Sequence, residues 1–220
     1  MVKVFRKDML ITAFLIAFFI FLLGFYVGKL FDSFRLTNGD DMILGIQLDT
    51  DSFVTEKEFF TTFAVQDCPL LDNRMQKLGE NLGEIGRAIT KYDTRSVSDS
   101  DLYNQLKRKY FLLELRAYTL RKEMLDSCNS NGSNVILFFY NTENNQDSLN
   151  QGYALDSLVS DLKNTTVFSI DSDFEEPALS SLKAYYNITK APTLVLNYEK
   201  KVEGYISEEG ITNLLKKYNK

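Results

Sequence analysis

The sequence predicts an α/β C-terminal domain, preceded by one transmembrane helix and an antiparallel helical hairpin of coiled-coil type. Three observations predict it. An apolar run from Met9 stays uncharged until Lys29. Two later segments carry heptad spacing and are separated by a polar turn. Beyond residue 134, short apolar runs alternate with amphipathic stretches in the order β-α-β-α-β-β-α. The expected boundaries are 1–8 for a cytoplasmic N-terminus, 9–30 for the membrane anchor, 31–66 for a membrane-proximal helical segment, 67–130 for the hairpin and 131–220 for the α/β domain.

The first element is "MLITAFLIAFFIFLLGFYVGKL". About 20 apolar residues at ~1.5 Å each span a hydrocarbon core of ~30 Å. A cleaved signal peptide would have a shorter apolar core and a small-x-small cleavage site, and none follows the run. Lys3, Arg6 and Lys7 precede it, while Lys29 and Arg35 are soon joined by Asp32, Asp40 and Asp41. The basic excess on the N-terminal side orients that end to the cytoplasm. A single-pass protein of the cell membrane is expected, with its C-terminal domain outside. Gly24 and Gly28 give the GxxxG spacing that lets two membrane helices approach closely, and chance in a glycine-tolerant segment gives it too.

In residues 31–66, "TNGDD" reads as a break, with Asp40 or Asp41 capping a short helix through Leu48, and "DTDS" reads as a second break. Phe53, Phe59, Phe60 and Phe63 then form an aromatic segment expected to pack on the next part of the chain.

The hairpin comes next. Leu71, Met75, Leu78, Leu82, Ile85 and Ile89 make one heptad seam; Tyr103, Leu106, Tyr110, Leu113, Ala117, Leu120 and Met124 make the other. "KYDTRSVSDSD" between them is a polar turn, with Ser98 or Ser100 available as a cap. So short a connection makes the helices antiparallel neighbours. Gly79, Gly83 and Gly86 lie inside the first helix and follow no strand, which removes a phosphate-binding reading. Each costs about 1 kcal/mol relative to Ala in a helix interior, so a close neighbour such as the Phe-rich segment is expected there.

Cys68 opens the first hairpin helix, with Pro69 at a favourable first-turn position, and Cys128 closes the second. Helices of roughly 24 and 29 residues extend about 36 and 43 Å from the turn, so their far ends meet to within about one helical turn. Outside the cytoplasm a disulfide is expected, closing a loop of about 60 residues worth very roughly 4 kcal/mol. Two free buried thiols are the plain alternative. A redox pair stays open as well, because Cys68 sits at a helix start.

In the C-terminal part, "VILFFY" (Val135–Tyr140) reads as a buried strand. Asn150 to Leu162 reads as a helix with Leu155, Leu158, Val159 and Leu162 on one face. "TTVFSID" is a strand, "EPALSSLKAYYNI" a helix starting at Pro177, "PTLVLNY" and "KKVEGYI" a hairpin, and "SEEGITNLLKKY" a helix capped by Ser207. The β-α-β unit implies parallel strands.

Composition limits the chemistry. The chain has 220 residues, a formal net charge of -5 and no histidine. The charge argues against nucleic acid as a partner. The missing histidine removes Ser-His-Asp and Cys-His nucleophiles and every histidine-containing metal site. No EF-hand-like run of carboxylates occurs. No cofactor, metal or catalytic residue is assigned. Asn131, Asn164 and Asn187 open Asn-x-Ser/Thr triplets, which fit an external face in a host that glycosylates and which an Asn-rich chain also supplies by chance.

Residues 181–218, "SLKAYYNITKAPTLVLNYEKKVEGYISEEGITNLLKKY", resemble the thioredoxin fold. In that family a helix ends in Tyr-x-Ile, and a short loop leads to a cis-proline followed by Thr, a strand, a hairpin and a closing helix. Tyr186, Ile188, Pro192, Thr193, Gly204 and the Leu214–Leu215 pair stand at the matching positions. The layout of span, helical hairpin and this domain is similar to membrane-anchored thioredoxin-like proteins of archaea. In such relatives a CxxC motif precedes a Gln-Gly, which is kept here as Gln151 and Gly152. The resemblance therefore places the expected cysteines on Asn144, Asn145, Gln146, Asp147 and Ser148, most simply on Asn145 and Ser148. Neither side chain can perform thiol–disulfide exchange. A serine nucleophile would need a base beside it.

The resemblance also implies a cis bond at Ala191–Pro192, next to that vacant window. In redox-active relatives the loop around Ala191, Pro192 and Thr193 offers backbone groups to an extended segment, a contact that needs no thiol. Pro192 merely shaping the hairpin start is the plain alternative. The first reading is thus a protein-binding or scaffolding module for envelope or secreted proteins, redox-inactive, with the stalk or the glycine pair offering a homodimer contact. The second is an oxidoreductase or envelope redox-folding factor using Cys68 and Cys128 or a partner's cysteines. A third makes the domain a spacer and puts the function in the hairpin.

Overall fold

The structure, a computed structural model, describes residues 7–63, 67–93, 101–128, 133–142 and 145–218, with the backbone alone at 7–8, 30–41, 91–93 and 218. The chain divides into two compact units, Met1–Ser52 and Phe53–Lys220. The turn with Ser98 and Ser100, the Asn131 triplet's first two residues and Asn144 lie outside the described residues.

The first unit consists of helix α1, which runs from Lys7 to Phe63 and so continues into the second. Within it Met9–Lys29 is a stretch of 21 residues with a mean hydropathy of 2.7 and none of its surface buried. That is long and apolar enough to cross a membrane, and a signal sequence meets the same description. The breaks expected at "TNGDD" and "DTDS" are absent. Asn, Asp, Thr and Gly each cost at most about 1 kcal/mol in a helix interior, and only proline forbids continuation. The first proline is Pro69, beyond the helix. Asp40 and Asp41 consequently lie mid-helix rather than at a helix start.

The second unit begins with the last turns of α1. Phe53 is buried there, with the Arg116 guanidinium 5.6 Å from its ring centre. Glu56 pairs with Arg74, and Lys57 with Glu123 at 2.6 Å. Phe60 is half-buried, but Phe59 and Phe63 stack on each other and stay exposed, against the expectation for that segment. Helices α2 (Cys68–Asp93) and α3 (Asp101–Ser127) form the hairpin. Leu78 and Ile85 of the first seam, and Leu106, Leu113, Ala117, Leu120 and Met124 of the second, are buried. Cys68 and Cys128 are joined, with Cα atoms 5.7 Å apart. The three glycines have no close neighbour of the kind expected: a Cβ at Gly79 would meet nothing, and one at Gly86 would touch the Tyr110 ring at 3.8 Å. The Phe-rich segment does not pack there.

The sheet contains β1 (Asn134–Tyr140), β2 (Thr165–Asp171), β3 (Thr193–Leu196) and β4 (Lys200–Glu203) in the order β2-β1-β3-β4. β1 and β2 are parallel, and the β1–β3 and β3–β4 pairs are antiparallel. Helices α4 (Gln146–Asp161), α5 (Pro177–Tyr185) and α6 (Glu208–Tyr218) complete it. β1 is buried on both faces, as the middle strand of such a sheet must be. Ile136 and Phe138 join Leu155, Leu158, Leu194, Leu196, Ile211 and Leu215 in one core, between the sheet and α4 with α6. Val159, expected on that face, is exposed. α6 begins where Ser207 Oγ accepts from the Gly210 N–H at 3.3 Å.

The other face receives α3. Besides its hairpin seam, α3 buries Leu102, Phe111, Glu114 and Tyr118. Phe111 lies 5.1 Å from Phe174 between ring centres, and Tyr118 lies 5.6 Å from Phe168, which is in register with Leu137. Tyr118 Oη is 2.6 Å from Tyr186 Oη, and Tyr198 Oη donates to the Tyr118 carbonyl at 3.1 Å. Lys107 bonds Asp171 and Arg108 bonds Glu176. The Glu114 carboxyl accepts from the Ser169 N–H of β2, an outer strand of the sheet. A bare outer strand is a hazard that proteins cover, and α3 supplies part of that cover. The β3–β4 turn places Asn197 and Tyr198 at φ 47° and 66°. Positive φ at both positions is the type I′ geometry of tight hairpins, and asparagine tolerates it better than tyrosine. Tyr198 is held there by its ring, 4.6 Å from Tyr118.

Candidate functional site

The window expected to be vacant of sulfur lies at the C-terminal end of β1, where α4 starts. The helix begins at Gln146, four residues earlier than its apolar pattern indicated, so the window forms its first turn. Asn145 is the N-cap. Its Oδ1 accepts from the Ser148 N–H at 2.9 Å, and its Nδ2 donates to the Ala191 carbonyl at 3.0 Å. Cap residues satisfy helix-end amides that otherwise lack partners, and this one also ties the helix to the loop opposite. Ser148 is buried, and its Oγ accepts from the Asn141 N–H at 3.2 Å. Gln146 and Asp147 face solvent, and Gln146 Nε2 donates to Asn150 Oδ1 at 3.1 Å.

The loop opposite holds Ala191, Pro192 and Thr193, and the Ala191–Pro192 peptide is cis. Thr193 is fully buried, with Oγ1 donating to the Lys190 carbonyl at 2.7 Å. The Gly204 N–H donates to the Pro192 carbonyl at 2.8 Å, from a φ of 82° that favours glycine. Asn145 and Ala191 are thus in direct contact, although 46 positions separate them. Gln151, completely buried, serves the fold: its Nε2 donates to the Ile206 carbonyl and its Oε1 accepts from the Ile206 N–H, at 3.2 and 2.9 Å.

Two clefts flank this junction. One of about 790 Å³ lies along α4, lined by Phe138, Tyr140, Leu149, Tyr153 and, from the window, Asn145, Gln146 and Ser148. Leu149 and Tyr153 are exposed on its rim. The other, of about 320 Å³, lies toward α5 and includes Ser172, Asn187, Thr189 and Ala191. Asn141 borders both. Its Oδ1 is buried and takes no partner among the described residues, and neither does the Ser172 Oγ. Buried polar atoms without partners are costly, so a ligand donor has something to satisfy there. Sequence reasoning missed Asn141 and Ser172. Their only signal is position: each is the first polar residue after a strand of a parallel pair, the end of the sheet where α/β folds place ligands.

Cys68 and Cys128 are elsewhere. The cleft of about 330 Å³ that they line is otherwise made by α1, α2, α3 and Asp67, with no residue of the sheet or of the Pro192 loop. Among the described residues no group of three or more acidic or cysteine side chains could hold a metal ion. The sequence gives the window three amides (Asn144, Asn145 and Gln146), one carboxylate (Asp147) and one hydroxyl (Ser148), and that hydroxyl accepts from the Asn141 N–H rather than donating to a base among the described residues.

No protein family's model matches the chain, and no curated protein matches it. Solved structures do. Thioredoxin-2, a component of the malaria parasite protein secretion machinery, is 19% identical over 39% of this chain and 84% of its own, with a TM-score of 0.34. Chloroplastic thioredoxin z is 17% identical over 44% and 87%, with a TM-score of 0.34. The germline-specific thioredoxin Deadhead of Drosophila melanogaster is 21% identical over 47% and 93%, with a TM-score of 0.35. These distant likenesses concern fold and nothing further. The thioredoxin-like fold of the C-terminal part stands on its own strand order, its parallel β1–β2 pair and the cis-proline ahead of β3.

Proposed function

We propose that the chain is a membrane-anchored, extracytoplasmic thioredoxin-like protein that binds or scaffolds other envelope proteins without dithiol chemistry. The observation that carries this reading is the Asn145 side chain, which bonds both Ser148 and Ala191 where a redox pair would stand. The hydrogen bonds give that position a structural role in place of a reactive one. The two clefts and the buried, unpartnered Asn141 Oδ1 supply a surface for an extended segment. The Cys68–Cys128 bridge lines a cleft that shares no residue with either cleft at the window, which speaks against the bridge as the reaction centre.

Two measurements on the full chain in its membrane test the reading. With a dithiol reductant, the wild-type protein leaves a disulfide substrate at background, whereas Asn145→Cys combined with Ser148→Cys gains turnover. A thiolate at position 145 would accept from the amide of residue 148 at a helix start, which lowers its pKa. Robust turnover by the wild-type chain would reject the proposal. A photoreactive residue at Tyr153, on the cleft rim, captures an envelope protein that the same residue at Lys163, just beyond the other end of α4, does not. Equal capture at both positions would reject the cleft as the binding surface.

A further inference from the structure

The triplet Asn187–Ile188–Thr189 has no part in the fold's core or in the hydrogen bonds of the window. Its backbone is fixed. The Asn187 N–H donates to the Ala184 carbonyl at 3.1 Å, the Ile188 N–H to the Lys183 carbonyl at 2.8 Å, and Lys201 Nζ to the Asn187 carbonyl at 2.8 Å. The Asn187 side chain, at φ 50°, is exposed and takes no hydrogen-bond partner among the described residues. Thr189 is exposed as well, and all three residues lie between α5 and β3.

The second described triplet differs. Asn164 is exposed in the turn before β2, but Thr165 is buried and bonded to the Asn134 amide, and Thr166 is held in the β1–β2 ladder opposite Val135. A transferase reading both the asparagine and the hydroxyl two residues on could grip Asn187–Thr189 in the folded chain. It could not grip Asn164–Thr166 without opening the sheet. The Cys68–Cys128 bridge and the apolar N-terminal helix fit a compartment outside the cytoplasm, where such transferases act.

We propose that Asn187 is an acceptor for an asparagine-linked glycan. The donor class is an oligosaccharide carried on a polyprenyl phosphate or pyrophosphate. The Asn187 Nδ2 forms a bond to the anomeric carbon of the first sugar as that carbon's bond to the phosphate oxygen breaks. The lipid phosphate leaves with the electron pair, and the displaced amide proton passes to a base of the transferase. Asn187, Ile188 and Thr189 line the smaller cleft together with Ala191. A glycan there stands over that cleft and leaves the α4 side open, a consequence that rests on the proposed binding role, whereas the modification itself does not.

The test uses the full chain isolated from its own membranes. Trypsin releases each triplet on its own peptide, "AYYNITK" after Lys183 and a peptide starting at Asn164 after Lys163. Mass spectrometry is expected to find "AYYNITK" with a sugar increment. The increment is lost in Asn187→Gln and Thr189→Ala and kept in Thr189→Ser. Recovery of "AYYNITK" only in its unmodified form would overturn the proposal, as would an increment that survives Thr189→Ala. The masking effect is read separately. A photoreactive residue at Ser172 gains severalfold in crosslinking when Thr189→Ala removes the glycan, and the same residue at Tyr153 does not. Unchanged crosslinking at Ser172 would overturn the masking and leave the acceptor assignment standing.

Discussion

Replacing Glu114 by Gln removes a titration built into the contact between α3 and the sheet. The Glu114 carboxyl is 6% exposed. It accepts from the Ser169 N–H and bonds the Tyr110 hydroxyl, while Oε2 takes no partner among the described residues. Burial pushes its pKa from 4.5 up to about 7, and the two hydrogen bonds offset only part of that. Because the folded pKa lies above the unfolded one, the folded state holds the proton more tightly. The stability that results is fully present below pH 4.5 and is lost as pH rises through about 7. At 1.36 kcal/mol per pKa unit the full swing is roughly 3 kcal/mol. Gln keeps the acceptor for Ser169 and does not titrate. The stability of Glu114→Gln minus that of wild type is therefore expected to rise by up to roughly 3 kcal/mol between about pH 4.5 and pH 8. Urea unfolding of the detergent-solubilised chain measures it, followed by tyrosine fluorescence, since the chain has 12 tyrosines and no tryptophan. A difference that stays constant across that range would refute the reasoning.

The bridge and the buried glutamine can be probed in the same way. Cys68→Ser with Cys128→Ser opens a loop whose ends are 60 residues apart, and the chain-entropy relation puts the loss at roughly 4 kcal/mol. Urea midpoints of the full chain at equal slope check it, and an unchanged midpoint would show that the bridge adds nothing. Gln151→Ala strands the Ile206 N–H and carbonyl, both of which bond that side chain. At about 1–3 kcal/mol for each buried group left unpaired, thermal unfolding is expected to shift downward by more than a surface substitution such as Gln146→Ala produces.

Much of the fold was legible because it obeys periodic rules. Heptad spacing located α2 and α3, and their near-equal lengths brought Cys68 to Cys128. Apolar alternation and the phrase around Pro192 gave the order of strands and helices. Local chemistry misled where tertiary structure or simple tolerance decided the outcome. "TNGDD" and "DTDS" are turn-like in composition, yet α1 passes through both. The start of α4 was placed four residues late because its first turn is polar, a consequence of Asn145 acting as cap where no apolar periodicity can signal it. Asn141 and Ser172 gave no compositional signal at all. What distinguishes them is a buried atom without a partner, and that exists only once β1, β2 and the Pro192 loop have come together.

The least legible feature was the second face of α3. Its heptad positions account for Leu106, Leu113, Ala117, Leu120 and Met124, so the helix read as complete with one seam. Phe111, Glu114 and Tyr118 fall off that seam and are buried against the sheet side instead. A helix apolar on two faces is a helix packed on two sides. This changes what the hairpin is. A free stalk would leave β2 as a bare outer strand, with a row of unpaired amides available to any passing strand. Here α3 lies against β2 and takes the Ser169 N–H on Glu114. The hairpin is therefore one wall of the thioredoxin-like domain. Deleting residues 67–130 would expose Phe168, the Ser169 amide and the Tyr186 and Tyr198 rings together. Partner binding lost in such a deletion would reflect the domain's own collapse, so the two parts have to be separated by point substitutions at the clefts and not by truncation.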